Sequence, residues 1–138
     1  MKLIRILIIL LVFSMTLSAC TAGKLADIYD ENIVIDRAKE VVEMINSQDF
    51  DEVNAQIRDD LQDQLTSNQL KDALVPKLVE AGPFIEYQSI TTTTLGQNRK
   101  TPGEDYATVV LVGKYEKSTL VFTITMDSNL DIVGLFVK

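Results

Sequence analysis

Three groups of residues in this chain have the types and spacing to do chemistry. Cys20 is the single cysteine, so no disulfide can form within the chain, and what remains open to its sulfur is a reaction that needs no partner thiol, such as a thioether. Asp59, Asp60 and Asp63 lie near one predicted helix, and Tyr87, Tyr106 and Tyr115 fall on predicted strands. A carboxyl and a phenol in a closed cavity could act as the acid–base pair of a small isomerase or dehydratase. That role requires a buried carboxyl with a raised pKa, within about 3 Å of the proton it moves. Finally, Asp127-Ser128-Asn129-Leu130-Asp131 has the Asp-x-Asn-x-Asp opening of a calcium loop.

Each group also has a plainer explanation. A calcium loop needs Gly at its sixth position and a bidentate Glu at its twelfth, where this chain has Ile132 and Lys138. Turn chemistry accounts for the same Asp and Asn residues, whose side chains bond their own backbone. Tyrosines on half-buried strands pack with the hydroxyl at the rim, and acids on a helix form its wet face. The chain has no histidine, which removes the commonest general base and metal ligand and every Ser-His or Cys-His nucleophile. Gly82 and Gly96 sit in no glycine-rich strand-to-helix turn, so there is no nucleotide cradle. No catalytic residue, metal ligand or cofactor is expected. A non-catalytic binding or interaction module is the leading expectation, with the Asp/Tyr cavity enzyme and a structural dimerising subunit as alternatives.

The surroundings of Cys20 explain it best. Lys2 and Arg5 precede the apolar run Ile6 to Phe13, and Ser14 to Ala19 is small and polar, the layout of a secretory signal peptide. The run is too short for a bilayer span, which takes about 20 apolar residues. Leu17-Ser18-Ala19-Cys20 resembles the bacterial lipoprotein box. The resemblance implies cleavage between Ala19 and Cys20, a diacylglyceryl group on the Cys20 sulfur with palmitate-type chains, and an exported protein held at the outer face of the cell membrane. Two acyl chains are needed because one alone gives only marginal, reversible binding. The organisation expected is a signal peptide over 1–19, a lipidated tether over 20–31 and one domain over 32–138. Removing 1–19 takes away two of the 13 basic residues and none of the 20 acidic ones, for a net charge of −9. That acidity excludes nucleic acid, which is bound through clustered Lys and Arg.

Val34, Ala38, Val41 and Ile45 recur at spacings of four, three and four, one face of a helix with Asn32 as its cap. Asp49 and Glu52 predict a capping box for a second helix with Phe50, Val53, Ile57 and Leu61 on its buried stripe. Thr66 and Gln69 predict a third, carrying Leu70, Leu74 and Leu78, kinked or restarted at Pro76 and stopped by Gly82-Pro83. From Phe84 the period becomes two, clearest where Leu120, Phe122, Ile124 and Met126 alternate with Thr119, Val121, Thr123 and Thr125. Four strands follow: Phe84 to Leu95, Tyr106 to Glu116, Ser118 to Met126 and Asp131 to Val137, the last three joined by short hairpins. The polar loop Gly96 to Asp105 is expected to be the mobile element. The fold class is α+β, with three N-terminal helices on one face of a curved four-stranded antiparallel sheet and a Thr-rich second face left open.

"RAKEVVEMINSQDFDEVNAQI", "EAGPF" and "LVFTITMDSNLDIVGLFV" together resemble the bacterial domain-of-unknown-function family 3887, over about Val34 to Val137. The resemblance implies an exported protein of Gram-positive bacteria, either alone on a lipid anchor or ahead of an alpha/beta-hydrolase domain; the form without the hydrolase is expected here. It also implies a fold similar to the cone-shaped nuclear-transport-factor-2-like class. Asp127-Ser128-Asn129 lacks the glycine that the last hairpin would be expected to carry. The partners implied are the membrane through the anchor, a second copy through the open sheet face, and a small-molecule ligand or an envelope protein.

Overall fold

The computed structural model describes residues 25–95 and 105–138. The expected signal peptide and lipoprotein box, including Leu17, Ser18, Ala19 and Cys20, lie outside the described residues, as does nearly all of the loop from Gly96.

Helix α1 spans Glu31–Asn46. Its cap is Asp30, not Asn32: the Asp30 carboxylate accepts from Asn32 N at 2.9 Å and Ile33 N at 3.2 Å. A carboxylate serves two orphan donors there and faces the positive end of the helix dipole, which a neutral side chain inside the first turn cannot do. Val34, Ala38, Val41, Val42 and Ile45 are fully buried, the stripe that the spacing predicts. Just before the helix, residues 25–30 lie against the sheet. Ala26 N donates to the Thr94 hydroxyl at 2.6 Å, the Tyr29 hydroxyl donates to the Asp105 carbonyl at 2.5 Å, and Tyr29 is buried.

The expected second helix is half its predicted length. Helix α2, Phe50–Ala55, starts at Asp49, whose side chain accepts from Glu52 N. The return half of the capping box is replaced by a bond from Gln56 Nε2 to Glu52 Oε1 at 2.9 Å. The chain then leaves the helix because the sheet edge claims its backbone: Ile132 N donates to the Gln56 carbonyl and Arg58 N to the Ile132 carbonyl, both at 2.9 Å. A 3-10 segment, Asp59–Gln64, follows, tied back by Asn54 Nδ2, which donates to the carbonyls of Gln62 at 3.1 Å and Leu65 at 2.8 Å.

Helix α3, Ser67–Ala81, opens with both halves of the Thr66/Gln69 capping box. It continues through Pro76 without the restart that the proline could impose. Leu70, Leu74 and Ala81 are buried in the shared core on both sides of the proline, and this packing outweighs the local loss of a hydrogen bond. Pro76→Ala should therefore stabilise the domain by about 2 kcal/mol: the helix-interior penalty of about 3 is partly offset by the freedom that the unfolded chain regains. Urea unfolding measures it, and no gain would mean that this helix turn is already relaxed around the ring. Gly82 ends the helix at φ 78, a conformation that favours glycine.

Strands β1 (Phe84–Leu95), β2 (Tyr106–Tyr115), β3 (Thr119–Met126) and β4 (Ile132–Val137) form one antiparallel sheet in the order β1-β2-β3-β4. The fold is thus α+β, with helices preceding an open four-stranded sheet. Ala107, Val109, Leu111, Tyr115, Leu120, Phe122, Ile124, Met126, Ile132 and Val137 are buried with the helical stripes in a single core. Gly113 leaves room for the rings there, since a Cβ would lie 3.1 Å from Tyr115 and 3.3 Å from Phe84. On the opposite face Thr108 and Thr125, cross-strand partners, share a buried hydroxyl hydrogen bond of 3.1 Å.

Candidate functional site

The tyrosines and acids that could have formed an acid–base pair are divided between two places. Tyr87 and Tyr115 join Phe84 and Phe122 in an aromatic cluster, with Phe84 5.0 Å from Tyr87 and 5.4 Å from Tyr115, and Tyr115 6.5 Å from Phe122. The Tyr115 hydroxyl donates to Asn46 Oδ1 at 2.6 Å. Burial pushes the Tyr115 phenol up to about 12 against the opposing pull of Asn46. Tyr87 is also pushed up to about 12, first by burial, then by Tyr115 and Glu43. Both phenols stay protonated across the physiological range, so neither is poised to act as a base.

The sign of that shift makes a prediction. A phenol whose folded pKa lies above the ordinary value of about 10 contributes its stability in full below pH ~10. The contribution is lost as pH rises towards about 12. Stability followed by urea unfolding should fall over that window, and Tyr115→Phe should flatten the fall. An unchanged slope in the variant would exclude Tyr115 as its source.

The acids gather around Arg58. Its Nε lies 2.7 Å from Asp60 Oδ1 and its Nη2 3.1 Å from Asp60 Oδ2, a bidentate pair. Its Nη1 is 3.8 Å from Asp127 Oδ2, and Tyr106 lies near enough to the guanidinium to raise its pKa as well, second to Asp60. Asp60 and Tyr106 thus meet through a cation. The Asp60 hydrogen bond raises the guanidinium pKa further, and Arg58 in turn holds the exposed Asp60 carboxyl below its ordinary range. That is the opposite of the shift a general acid needs at neutral pH. Asp59 accepts from Gln62 Nε2 at 3.3 Å on the exposed 3-10 segment, and Asp63 is exposed there too. Among the described residues, no Asp59, Asp60 or Asp63 carboxyl reaches Tyr87 or Tyr115. Asp60 is only two residues from Arg58, but the approach of Asp127 to Arg58 and of Asn46 to Tyr115 carries no sequence signal, because those partners are 69 residues apart along the chain.

The calcium-like stretch is a turn. Asp127 is buried, and its Oδ1 accepts from Asn129 N at 2.9 Å and Asp131 N at 3.1 Å while Oδ2 faces Arg58. The glycine expected in this hairpin is replaced by Leu130 at φ 66, held by the Asp127 side chain and by Leu130 N donating to the Asp127 carbonyl at 3.0 Å. Among the described residues no cluster of three or more Cys, Asp or Glu could hold a metal ion.

Among the described residues, concavities flank α1 and the β4 edge. A polar cleft of about 430 Å³ between α1 and the last hairpin is walled by Ile33, Asp36, Arg37, Glu40, Asn129 and Leu130. Arg37 there pairs with Glu40 at 3.2 Å and donates to Gln56. Two mainly apolar hollows adjoin along the β4 edge. One, of about 170 Å³, lies between Ile57, Leu61, Leu65 and residues 132–135; the other, of about 240 Å³, between Leu70, Leu74 and residues 135–137. They share Leu65 and Leu135 and form one groove. The strand beside it is open: Val121 and Lys138 exchange both backbone hydrogen bonds, and Thr123 faces Phe136 in the same register. In an antiparallel ladder that phase turns the N–H and C=O of Leu135 and Val137 away from β3. Among the described residues no backbone group meets them.

The family model for "Protein of unknown function (DUF3887)" matches residues 38–135, most of the chain. The chain belongs to the DUF3887 family. A solved NMR structure of a protein from Ruminococcus gnavus ATCC 29149 is similar in fold, with a TM-score of 0.72 at 23% identity, over 83% of this chain and 96% of that one. No curated protein matches the chain. The DUF3887 segment includes the Arg58 cluster and most of the groove and of β4, and it begins inside α1, after the docked residues 25–30.

Proposed function

We propose that this DUF3887 protein is a non-catalytic interaction module, exported and lipid-anchored through Cys20 at the outer face of a Gram-positive cell membrane, that engages its partner along β4. The observation that carries the interaction reading is the unpaired backbone of Leu135 and Val137 beside an apolar groove. An edge strand with a groove next to it can receive an extended segment as an added strand, with side-chain pockets supplying selectivity. The separation of the acids from Tyr87 and Tyr115 supports the same reading over the cavity enzyme. Helices on one face of an antiparallel sheet are also consistent with the cone-shaped nuclear-transport-factor-2-like class, the finer fold assignment that we favour.

The anchor rests on the basic end, the apolar run and Leu17-Ser18-Ala19-Cys20. Five residues from Cys20 to Leu25 reach at most about 17 Å, and residues 25–30 already lie against the sheet, so the domain would ride close to the bilayer. Cys20→Ser tests the address by cell fractionation. The variant should leave the membrane fraction for the medium or soluble fraction, and full retention with membranes would overturn the lipid anchor.

A further inference from the structure

We propose that the partner strand at β4 belongs to a second copy of this chain, paired antiparallel about a two-fold axis at Leu135; the inference rests on the interaction reading above and names its partner. The two edges of the sheet differ in how they are protected. β1 carries register shifts between Phe84 and Glu86 and between Tyr87 and Ser89, has Glu86 on it, and is tied at Thr92 to Glu31 and at Thr94 to Ala26. Bulges, charges and covering segments are the usual devices that stop an edge from pairing. β4, Ile132-Val133-Gly134-Leu135-Phe136-Val137, has no charged residue; its one register shift lies at its start, where Val133 is the extra residue between Ile132 and Gly134, and the Gln56–Arg58 segment covers it only at Ile132. The regular, uncovered stretch is Gly134 to Val137, and Leu135 is its first residue with both backbone groups turned outward.

Pairing about Leu135 is self-complementary from Gly134 to Phe136. Leu135 has its N–H and C=O turned outward, so the two copies of Leu135 form a hydrogen-bonded pair on the axis. Phe136 falls opposite Gly134 of the second copy. Both lie on the same sheet face, opposite Thr123 and Thr125 respectively, and Phe136, 61% exposed, has a large ring where glycine presents none. An aromatic set across from an edge glycine covers the backbone that glycine leaves bare. On the helical face, the Leu135 side chains meet over the grooves walled by Leu65, Leu70 and Leu74. A register moved by one residue would bring outward-facing backbone groups opposite groups already bonded to β3, and would separate Phe136 from Gly134.

Leu135→Cys in the full chain tests the pairing. Hydrogen-bonded antiparallel partners have Cα atoms about 5.5 Å apart, within disulfide range, so mild oxidation should give a disulfide dimer on a non-reducing gel. The dimer yield should be at least ten-fold above that of the wild-type chain and of Thr123→Cys on the open face. Equal yields, a dominant Thr123→Cys product, or no dimer would overturn the proposal. A measurement without substitution accompanies it: amide exchange over residues 132–138 of the wild-type full chain in mild detergent, with circular dichroism confirming that Leu135→Cys folds. Protection should rise at least ten-fold with the protein's own concentration. Protection on native membranes that does not depend on concentration in the purified chain would overturn the self-pairing and leave an interaction module with a different partner. Fast exchange under both conditions would remove both readings.

Discussion

Phe122→Ala should lower the free energy of unfolding by about 3–5 kcal/mol, the cost of emptying a large aromatic site in a packed core. Phe122 is fully buried, lies between Leu111 of β2 and Val137 of β4 in the ladder, and has the Tyr115 ring 6.5 Å away. Truncation therefore removes contacts to both neighbouring strands and to the aromatic cluster. A domain of this size has about 5–15 kcal/mol in total, and this chain has no disulfide to limit the loss. With a urea m-value of about 2 kcal/mol/M the midpoint should fall by about 2 M. Val79→Ala, at a position 67% exposed on α3, is the control and should change stability by less than about 0.5 kcal/mol. A Phe122→Ala loss as small as that of the control would mean that the core closes over the vacancy, and that the single-core description is wrong.

Asp127→Ala should cost about 3 kcal/mol, although the residue is polar and sits in the five-residue connection between β3 and β4. Its carboxylate serves the Asn129 and Asp131 N–H groups and faces Arg58. Alanine leaves those donors without an acceptor, at about 1–3 kcal/mol for each one that stays buried. Asp127→Asn keeps an amide oxygen for the backbone and loses only the charge opposite Arg58, so it should cost about half as much. Chemical denaturation of both variants separates the two contributions. If the alanine variant is as stable as wild type, water satisfies the turn and the Asp127 bonds are dispensable.

The parts of the fold that were legible in the sequence are those whose cause is local. The four-three-four spacing from Val34 to Ile45 depends only on helix geometry, and the alternation from Leu120 to Met126 only on the pleat. The Thr66/Gln69 box spans a single turn and forms as expected. The second helix misled because Ile57 and Leu61 continue a helical spacing, while the backbone between Gln56 and Arg58 is taken by Ile132 from the far end of the domain. At Pro76 a strong local penalty does not end the helix, because core packing lies on both sides of it. The candidate site was the least legible. Tyr106 and Asp127 reach the local Arg58–Asp60 pair only through tertiary packing, and the open β4 edge follows from strand order and hydrogen-bond phase, neither of which residue types reveal.

The order β1-β2-β3-β4 has a kinetic consequence. Every strand pairs with its neighbour in sequence, so the sheet can grow by closing one short loop at a time, and such local contacts favour rapid folding. The contact of Gln56 and Arg58 with Ile132 is different: it joins the helical half to the last strand and must close a loop through most of the domain before any bond rewards it. Docking of that segment is therefore the slow, late step, and until it happens the β4 edge is bare along its whole length. The nascent chain passes through an interval in which its most adhesive strand is least protected, and the rate of one long-range closure sets how long that interval lasts.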